Sequence, residues 1–261
     1  MTAAAYRTLA TELDDAPLLH RKQWEWCFVV KALIDQGAAR EGACGLGFGV
    51  GREPITAALV NRGCRITATD LPPDGDLGVW SITGQHARAL EDLDPKGRCD
   101  RAKFAAAVEF LPVDMCAIPD DLRDYDFCWS ACAFEHLGSL DAGLDFVVRS
   151  LATLRPGGIA VHTTEFNVSS NRDTVTTGGT VAYRARDLRG LARRLRKSGH
   201  RVTFRWGIGR TDADRHIESE PYSDVHLRVG FHSQAITSFG LVIVKAESPD
   251  QWAGPLSTAT V

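Results

Sequence analysis

A doubly wound α/β domain is the fold class this chain predicts, and three observations carry the prediction. Short apolar stretches alternate with stretches of helical periodicity along most of the 261 residues. A glycine cluster, Gly47, Gly49 and Gly51, closes the first apolar stretch and opens a helix. The segment FCWSAC, 127–132, is apolar on both alternating faces, as a strand covered on both sides must be. Successive strand–helix units require right-handed crossovers and therefore a largely parallel sheet. The length fits one large domain.

The elements can be taken in chain order. Residues 18–36 repeat apolar positions at three and four spacings through Leu19, Trp26, Val30 and Leu33, a helix stopped at Gly37. With the residues before it, this helix forms an N-terminal helical cap over 1–37, and the main domain spans 38–246. The first strand runs to Gly47. Helix 54–62 and strand 65–70 come next. Residues 71–104 are polar, rich in turn formers and too long for an ordinary connection, with a short helix expected near 84–92. Strands are expected at 108–114 and 127–132, then helix 139–154, a sharp stop at Arg155-Pro156-Gly157-Gly158, and strand 159–164. A polar loop fills 165–182, a basic helix 185–198 and a strand 201–206. A second polar excursion, 207–234, precedes the final strand, 235–246, and 247–261 reads as a loose tail. The count is about seven strands. The three long loops come after the second, fifth and sixth, on the side where parallel sheets bind ligands.

Composition excludes several classes. Thirty basic against 33 acidic residues, a net charge of -3, argue against a general nucleic-acid binder. No apolar run reaches the ~18 residues of a membrane span, and the N-terminus lacks the pattern of a secretory signal. Seven cysteines, an odd number without a CxxC pair, read as reduced thiols and point to a cytoplasmic protein.

The most informative residues are 44–70, CGLGFGVGREPITAALVNRGCRITATD. Glycines let backbone approach a ligand closely. An acid at the tip of the next strand, Asp70, can take both hydroxyls of a ribose. The ligand class is an adenosine-like cofactor. These glycines and Asp70 also match a nicotinamide-binding fingerprint, and plain turns with Asp114 as a helix cap are the simplest alternative.

Taken with Val113-Asp114-Met115, the segment FCWSACAFEHLG and the LRPGG turn, the chain resembles the class I S-adenosylmethionine-dependent methyltransferases over roughly residues 40–165. The resemblance implies a Rossmann-like methyltransferase fold, a seven-stranded sheet with an antiparallel last strand inserted beside the sixth and helices on both faces. It implies that Gly47, Gly49 and Gly51 lie along the methionine part of the cofactor and that Asp70 takes the ribose. Leu71 would lie near adenine, Asp114 would accept from its amino group, Met115 would lie against the ring, and Ser130 would face the reacting centre. One departure stands out: many relatives carry an acid two positions before the first glycine, where this chain has Gly45.

The expected reaction is O-methylation of a small molecule. A hydroxyl acceptor must lose its proton as the new bond forms, so a base or a metal is needed nearby. His136, directly after the fourth strand, is the first base candidate, and a loop-fixing histidine is the alternative. Glu165, at the tip of the fifth strand, could meet Asp224 or His226 from the last loop, and such a group could hold Mg²⁺ with an acceptor diol. The segments HTTEFN, EHLG and PYSDVH resemble bacterial methyltransferases of sugars and glycosylated metabolites, which makes a carbohydrate the expected acceptor. N-methylation is the close rival and an NAD-dependent oxidoreductase the distant one. Arg172, Arg184, Arg210 and Arg228 flank the acceptor loops, and Trp80, Gln85 and His86 could form a lid. Homo-oligomerisation stays open.

Overall fold

The computed structural model describes residues 3–14, 16–71, 85–204, 209, 211–222 and 225–247. In chain order the helices are α1 (Ala3–Asp14), α2 (Arg21–Asp35), α3 (Ile55–Asn61), α4 (Arg101–Ala107), α5 (Leu140–Ser150), α6 (Ala185–Lys197) and α7 (Asp212–Arg215). The strands are β1 (Leu19–His20), β2 (Cys44–Phe48), β3 (Arg65–Asp70), β4 (Val108–Pro112), β5 (Tyr125–Ala131), β6 (Leu154–Asn167), β7 (Arg201–Thr203), β8 (Val225–His226), β9 (Arg228–Phe231) and β10 (Gln234–Val244).

The main sheet runs β4-β3-β2-β5-β6-β10-β7. From β4 to β6 every pairing is parallel, and β10 enters antiparallel between β6 and β7. This is the Rossmann-like methyltransferase order, with the last strand where the resemblance implies it. The sheet gains an eighth strand because β9 folds back on β10 as a hairpin through His232, at φ 54°. A separate two-stranded parallel sheet joins β1 to β8.

Helices cover both faces. One core gathers Leu9 and Leu13 of α1, Val29, Val30 and Leu33 of α2 and α3 residues such as Leu59 against Phe127, Trp129 and Val161. The other packs Phe146 and Val147 of α5 and Leu188, Leu191 and Leu195 of α6 against Leu46, Cys128 and Ala160. Helix starts reflect local chemistry. Ser139 accepts from the Ala142 amide at 3.2 Å, Asp100 from Lys103 at 2.8 Å, and the Asp187 carboxylate accepts from the Arg184 amide at 2.9 Å.

Several boundaries differ from the sequence reading for identifiable reasons. The expected helix over 18–36 begins at Arg21, because the His20 ring accepts from the Lys22 amide and caps it, while Leu19–His20 pair as a strand. Helix α1 occupies the front of the expected helical cap, where no helix bounds were read, held by buried Leu9, Ala10 and Leu13. The Arg155-Pro156-Gly157-Gly158 stop belongs to the start of the 14-residue β6, which accommodates it with a register shift opposite Tyr125 and Phe127. The helix before it ends at Ser150, in a 3₁₀ turn over Leu151–Thr153. A 3₁₀ turn at Leu90–Leu93 stands where a helix near 84–92 was expected.

Candidate active site

Beyond the carboxyl ends of β2, β3, β4 and β5 lies a cavity of about 660 Å³. That falls within the roughly 300–1,000 Å³ of small-ligand pockets. Each strand supplies lining residues from its carboxyl end: Gly49 and Gly51 after β2, Asp70 and Leu71 at the tip of β3, Asp114 and Met115 after β4, and Cys132 and His136 after β5.

Gly49 and Gly51 adopt φ of +56° and +52°, left-handed values that a side chain resists. A Cβ on Gly49 would come within 3.0 Å of Ala133, and one on Gly51 within 2.8 Å of the Gln85 carbonyl. That carbonyl accepts from the Arg52 amide at 3.1 Å, so the returning end of the 71–104 excursion is laid over the glycine turn. Gly47 does not line the cavity. It faces Trp129 across the β2–β5 pairing, and a Cβ would meet that ring at 2.5 Å. Gly45 is equally constrained: a Cβ would sit 2.3 Å from Phe127, so no acid fits there.

Asp70 is buried at the tip of β3. One carboxylate oxygen accepts from the amides of Gly51 (3.1 Å) and Ala87 (3.0 Å), the other from Leu71 (2.8 Å). It thereby ties the glycine turn, its own strand end and the returning excursion together. Burial raises its pKa, against the pull of those amides. His86 donates Nε2–H to the Leu71 carbonyl at 2.7 Å, which leaves Nδ1 a buried acceptor with no hydrogen-bond partner among the described residues. Asp114 closes a turn by accepting from the Cys116 amide at 2.7 Å.

His136 lines the cavity as well. Only its Nδ1 can donate to the Gly179 carbonyl at 2.8 Å, with the Thr180 hydroxyl 3.1 Å away, so Nε2 is the unprotonated nitrogen. Nε2 lies 3.9 Å from a Glu135 oxygen. Burial pulls the His136 pKa down to about 4, with the nearby Lys22 charge adding to the effect.

Ser130 does not line the cavity. It is fully buried on the opposite face of β5, 2.8 Å from His162 Nδ1. Glu165 pairs with Arg21 of α2. His226 pairs with Glu218 and stacks on His20, ring centroids 4.6 Å apart, behind the cavity wall. Asp224, Trp80 and Arg210 lie outside the described residues. Glu165 and His226 thus have separate partners. Arg184 is buried, bound to Asp187 and to the Arg172 carbonyl.

The sequence reading missed a buried charged layer beneath the cavity. Lys22 Nζ contacts Glu53 at 3.1 Å, Glu25 at 3.4 Å and the Ala131 carbonyl at 3.4 Å. Burial works against the Lys22 charge, yet the Glu53 and Glu25 carboxylates hold its pKa well up. Glu25 also accepts from Cys132 Sγ (2.9 Å) and from the Ser238 hydroxyl. Burial raises Glu135 and Glu165 to about 7 each. A signal existed in Trp24-Glu25-Trp26, a carboxylate between two indoles on a helix that packs on the sheet.

No family model and no curated protein matches the chain. Solved structures share its fold. Magnesium protoporphyrin IX methyltransferase from Synechocystis PCC 6803, solved with bound S-adenosylmethionine, aligns with 85% of this chain and 78% of its own at 12% identity and TM-score 0.51. The methyltransferase domain of bacterial CtHen1 aligns with 86% and 100% at 12% identity and TM-score 0.53. The cyclase SpnF aligns with 85% and 81% at 16% identity and TM-score 0.54. This chain therefore has the Rossmann-like methyltransferase fold, and the cyclase is a reminder that the fold hosts more than one reaction. Among the described residues no helix is long and apolar enough to cross a membrane.

Proposed function

We propose that this protein is an S-adenosylmethionine-dependent O-methyltransferase acting on a small-molecule hydroxyl, with a saccharide or glycosylated metabolite as acceptor. The observation that carries the reading is the convergence of Gly49, Gly51, Asp70, Leu71, Asp114 and Met115 on one cavity at the ends of four adjacent parallel strands.

The lining fits the cofactor. The left-handed glycines form a cradle that a Cβ would fill. Leu71, Val113 and Met115 give an apolar slot for adenine, beside the acceptors Asp114 and His86 Nδ1. Asp70 presents its carboxylate to the ribose while its amide partners hold it in place. Gly45 supplies no acid, but Glu53 lines the cavity beside Gly51 with a buried oxygen that has no hydrogen-bond partner among the described residues. Glu53 takes the place of that acid toward the methionine ammonium.

When bound, the cofactor supplies an electrophilic methyl carbon. The chain aligns the acceptor and handles its proton. His136 Nε2 accepts the hydrogen bond of the acceptor hydroxyl, and takes its proton as the oxygen becomes acidic on bonding to carbon. A base of pKa about 4 is sufficient because the alkylated oxygen is far more acidic than a free alcohol. Glu165 and His226 act behind this layer: Glu165 fixes Arg21, and His226 holds His20 at the wall. A hydroxyl-rich acceptor suits the polar groups that the cavity offers beside the glycine turn, His20 and His136 among them.

Calorimetric titration with S-adenosylmethionine, S-adenosylhomocysteine and NAD tests the cofactor class. Binding of the first two and not of NAD supports the reading, and NAD binding alone overturns it. Transfer of labelled methyl from S-adenosylmethionine to a saccharide panel then tests the acceptor, and an alkali-stable methyl ether distinguishes O- from N-methylation.

A further inference from the structure

We propose that Cys132, Glu135 and Glu165 form a buried site for one thiophilic divalent cation, zinc by its chemistry, at the floor of the cavity. One ligand atom from each of the three lies within 4.8 Å of the others, and all three residues are buried. A thiol is a poor partner for Mg²⁺, which takes oxygen ligands, and a good one for Zn²⁺. These partners and this metal differ from Asp224, His226 and Mg²⁺, the ones expected around Glu165 from the sequence.

Two observations beyond the clustering point to a cation. The first is unmet hydrogen-bonding capacity. Glu135 is 0% and Glu165 4% exposed, yet among the described residues Oε1 of Glu135 and Oε2 of Glu165 have no hydrogen-bond partner. Buried carboxylate oxygens left in that state are costly. Arg21 engages the other oxygen of Glu165, and the Thr164 hydroxyl engages the other oxygen of Glu135 at 3.2 Å. Each carboxylate is thereby oriented with one oxygen to spare.

The second is charge. Four carboxylates, those of Glu25, Glu53, Glu135 and Glu165, surround two cations, Arg21 and Lys22. The cations pair with Glu25, Glu53 and Glu165. Among the described residues, only a histidine, His136, lies within ion-pair distance of Glu135. Two negative charges in this layer lack a counter-charge unless protons or a divalent cation supply it. Metal binding releases the Cys132 thiol proton to solvent and replaces the Sγ–H contact to Glu25 with an Sγ–metal bond; no oxidation is involved. Cys132 lines the cavity, which gives the ion a way in and leaves room for a fourth ligand from that side. An ion there could polarise an acceptor hydroxyl, but its binding does not depend on the methyl-transfer reading.

The test uses the whole protein, freed of metal by chelation and titrated with Co²⁺ as an optical probe for Zn²⁺. The expected result is one equivalent of Co²⁺ with a sulfur-to-cobalt charge-transfer band, displaced by Zn²⁺, lost in Cys132→Ser and kept in Cys116→Ser, which alters the exposed cysteine. Glu135→Gln should weaken binding at least tenfold. Absence of the band, or a band that survives Cys132→Ser, overturns the proposal. Should Cys132→Ser fail to fold, X-ray absorption of the zinc-loaded wild type decides: one sulfur with oxygen neighbours supports the site, and no sulfur, or two or more, refutes it.

Discussion

His162 offers a stability prediction whose size can be worked from its surroundings. It is fully buried in β6, edge-on to Phe134 and Phe146 with ring centroids 6.2 and 5.6 Å away. The Ser150 hydroxyl donates to the Val147 carbonyl at 2.9 Å, so it accepts from His162 Nε2–H at 3.2 Å. Nδ1 then accepts from the Ser130 hydroxyl at 2.8 Å. No carboxylate is among these partners, and burial alone pulls the pKa to about 3. The folded state keeps the ring neutral while the unfolded chain protonates it below ~6.5. The stabilisation is therefore complete above pH 6.5 and is lost as pH falls from there toward 3, at about 1.4 kcal/mol per pH unit. Between pH 6 and pH 4 the loss is about 2–3 kcal/mol, a large share of a typical stability of about 5–15 kcal/mol. His162→Asn removes the proton site and keeps groups able to bond both serines. At pH 7 it should cost about 1–3 kcal/mol in packing. Urea unfolding of both proteins at pH 7, 6, 5 and 4 gives the comparison. His20, His136 and His200, whose pKa values burial also lowers, occur in both proteins and cancel in the difference. The stability deficit of the variant should shrink by roughly one proton's worth per pH unit. Parallel pH profiles would refute the assignment of His162 as a neutral buried ring.

Asp70→Asn, which takes the charge from the group expected to hold the ribose, should weaken S-adenosylmethionine binding about 10- to 100-fold by calorimetry, as loss of charged hydrogen bonds worth about 1.5–3 kcal/mol each would; unchanged affinity would remove Asp70 from the cofactor site. Gly51→Ala combines a left-handed φ with a Cβ 2.8 Å from the Gln85 carbonyl, whereas Gly37→Ala, at φ +67° with open space around it, carries only the backbone term. Thermal melts should show about 1 kcal/mol lost in Gly37→Ala and clearly more in Gly51→Ala, and only the latter should weaken cofactor binding. His136→Ala should lower kcat by about 10²-fold or more with little change in cofactor Kd, as expected for a lost general base. A kcat within about threefold of wild type would favour an acceptor, such as an amine, that needs no base.

How much of the fold and site was legible in the sequence depends on the range of each interaction. The turn at Gly49 and Gly51 and the acid Asp70 belong to one strand–helix–strand unit, so spacing alone located them. The parallel character of the sheet needed only the alternation of elements and the handedness of their connections, whereas the antiparallel last strand beside the sixth was what the family resemblance implied. Ser130 failed to line the cavity for a reason the sequence could not supply. In β5 alternate residues face opposite helical layers, and FCWSAC is apolar on both, so nothing in the segment says which face meets the cavity. The charged layer was invisible for a different reason. Arg21 and Glu165 are 144 residues apart, and Glu25 and Ser238 are 213 apart, so only the docking of α2 against β6 and β10 brings them together. The strand β1 and the hairpin β9–β10 were hidden because a two-residue strand and a short edge strand leave little periodicity to read.

His136 and His162 show why burial by itself does not identify a catalytic base. Both rings are neutral near pH 7, and both owe this first to desolvation. In His162 each nitrogen is matched to a serine hydroxyl inside the core, and the ring is fully enclosed, so its neutrality serves packing. In His136 the Gly179 carbonyl fixes the tautomer through Nδ1 and thereby assigns the lone pair to Nε2, on a residue that lines the cavity. What separates the two is the backbone carbonyl. Gly179 lies in the loop between β6 and α6, which also hydrogen-bonds Glu135 and Gly138 through the amides of Val181 and Gly178. The loop between β6 and α6 thus sets the protonation pattern of the ring it touches. A change in its path would alter the tautomer of His136 and the shape of the cavity it lines together.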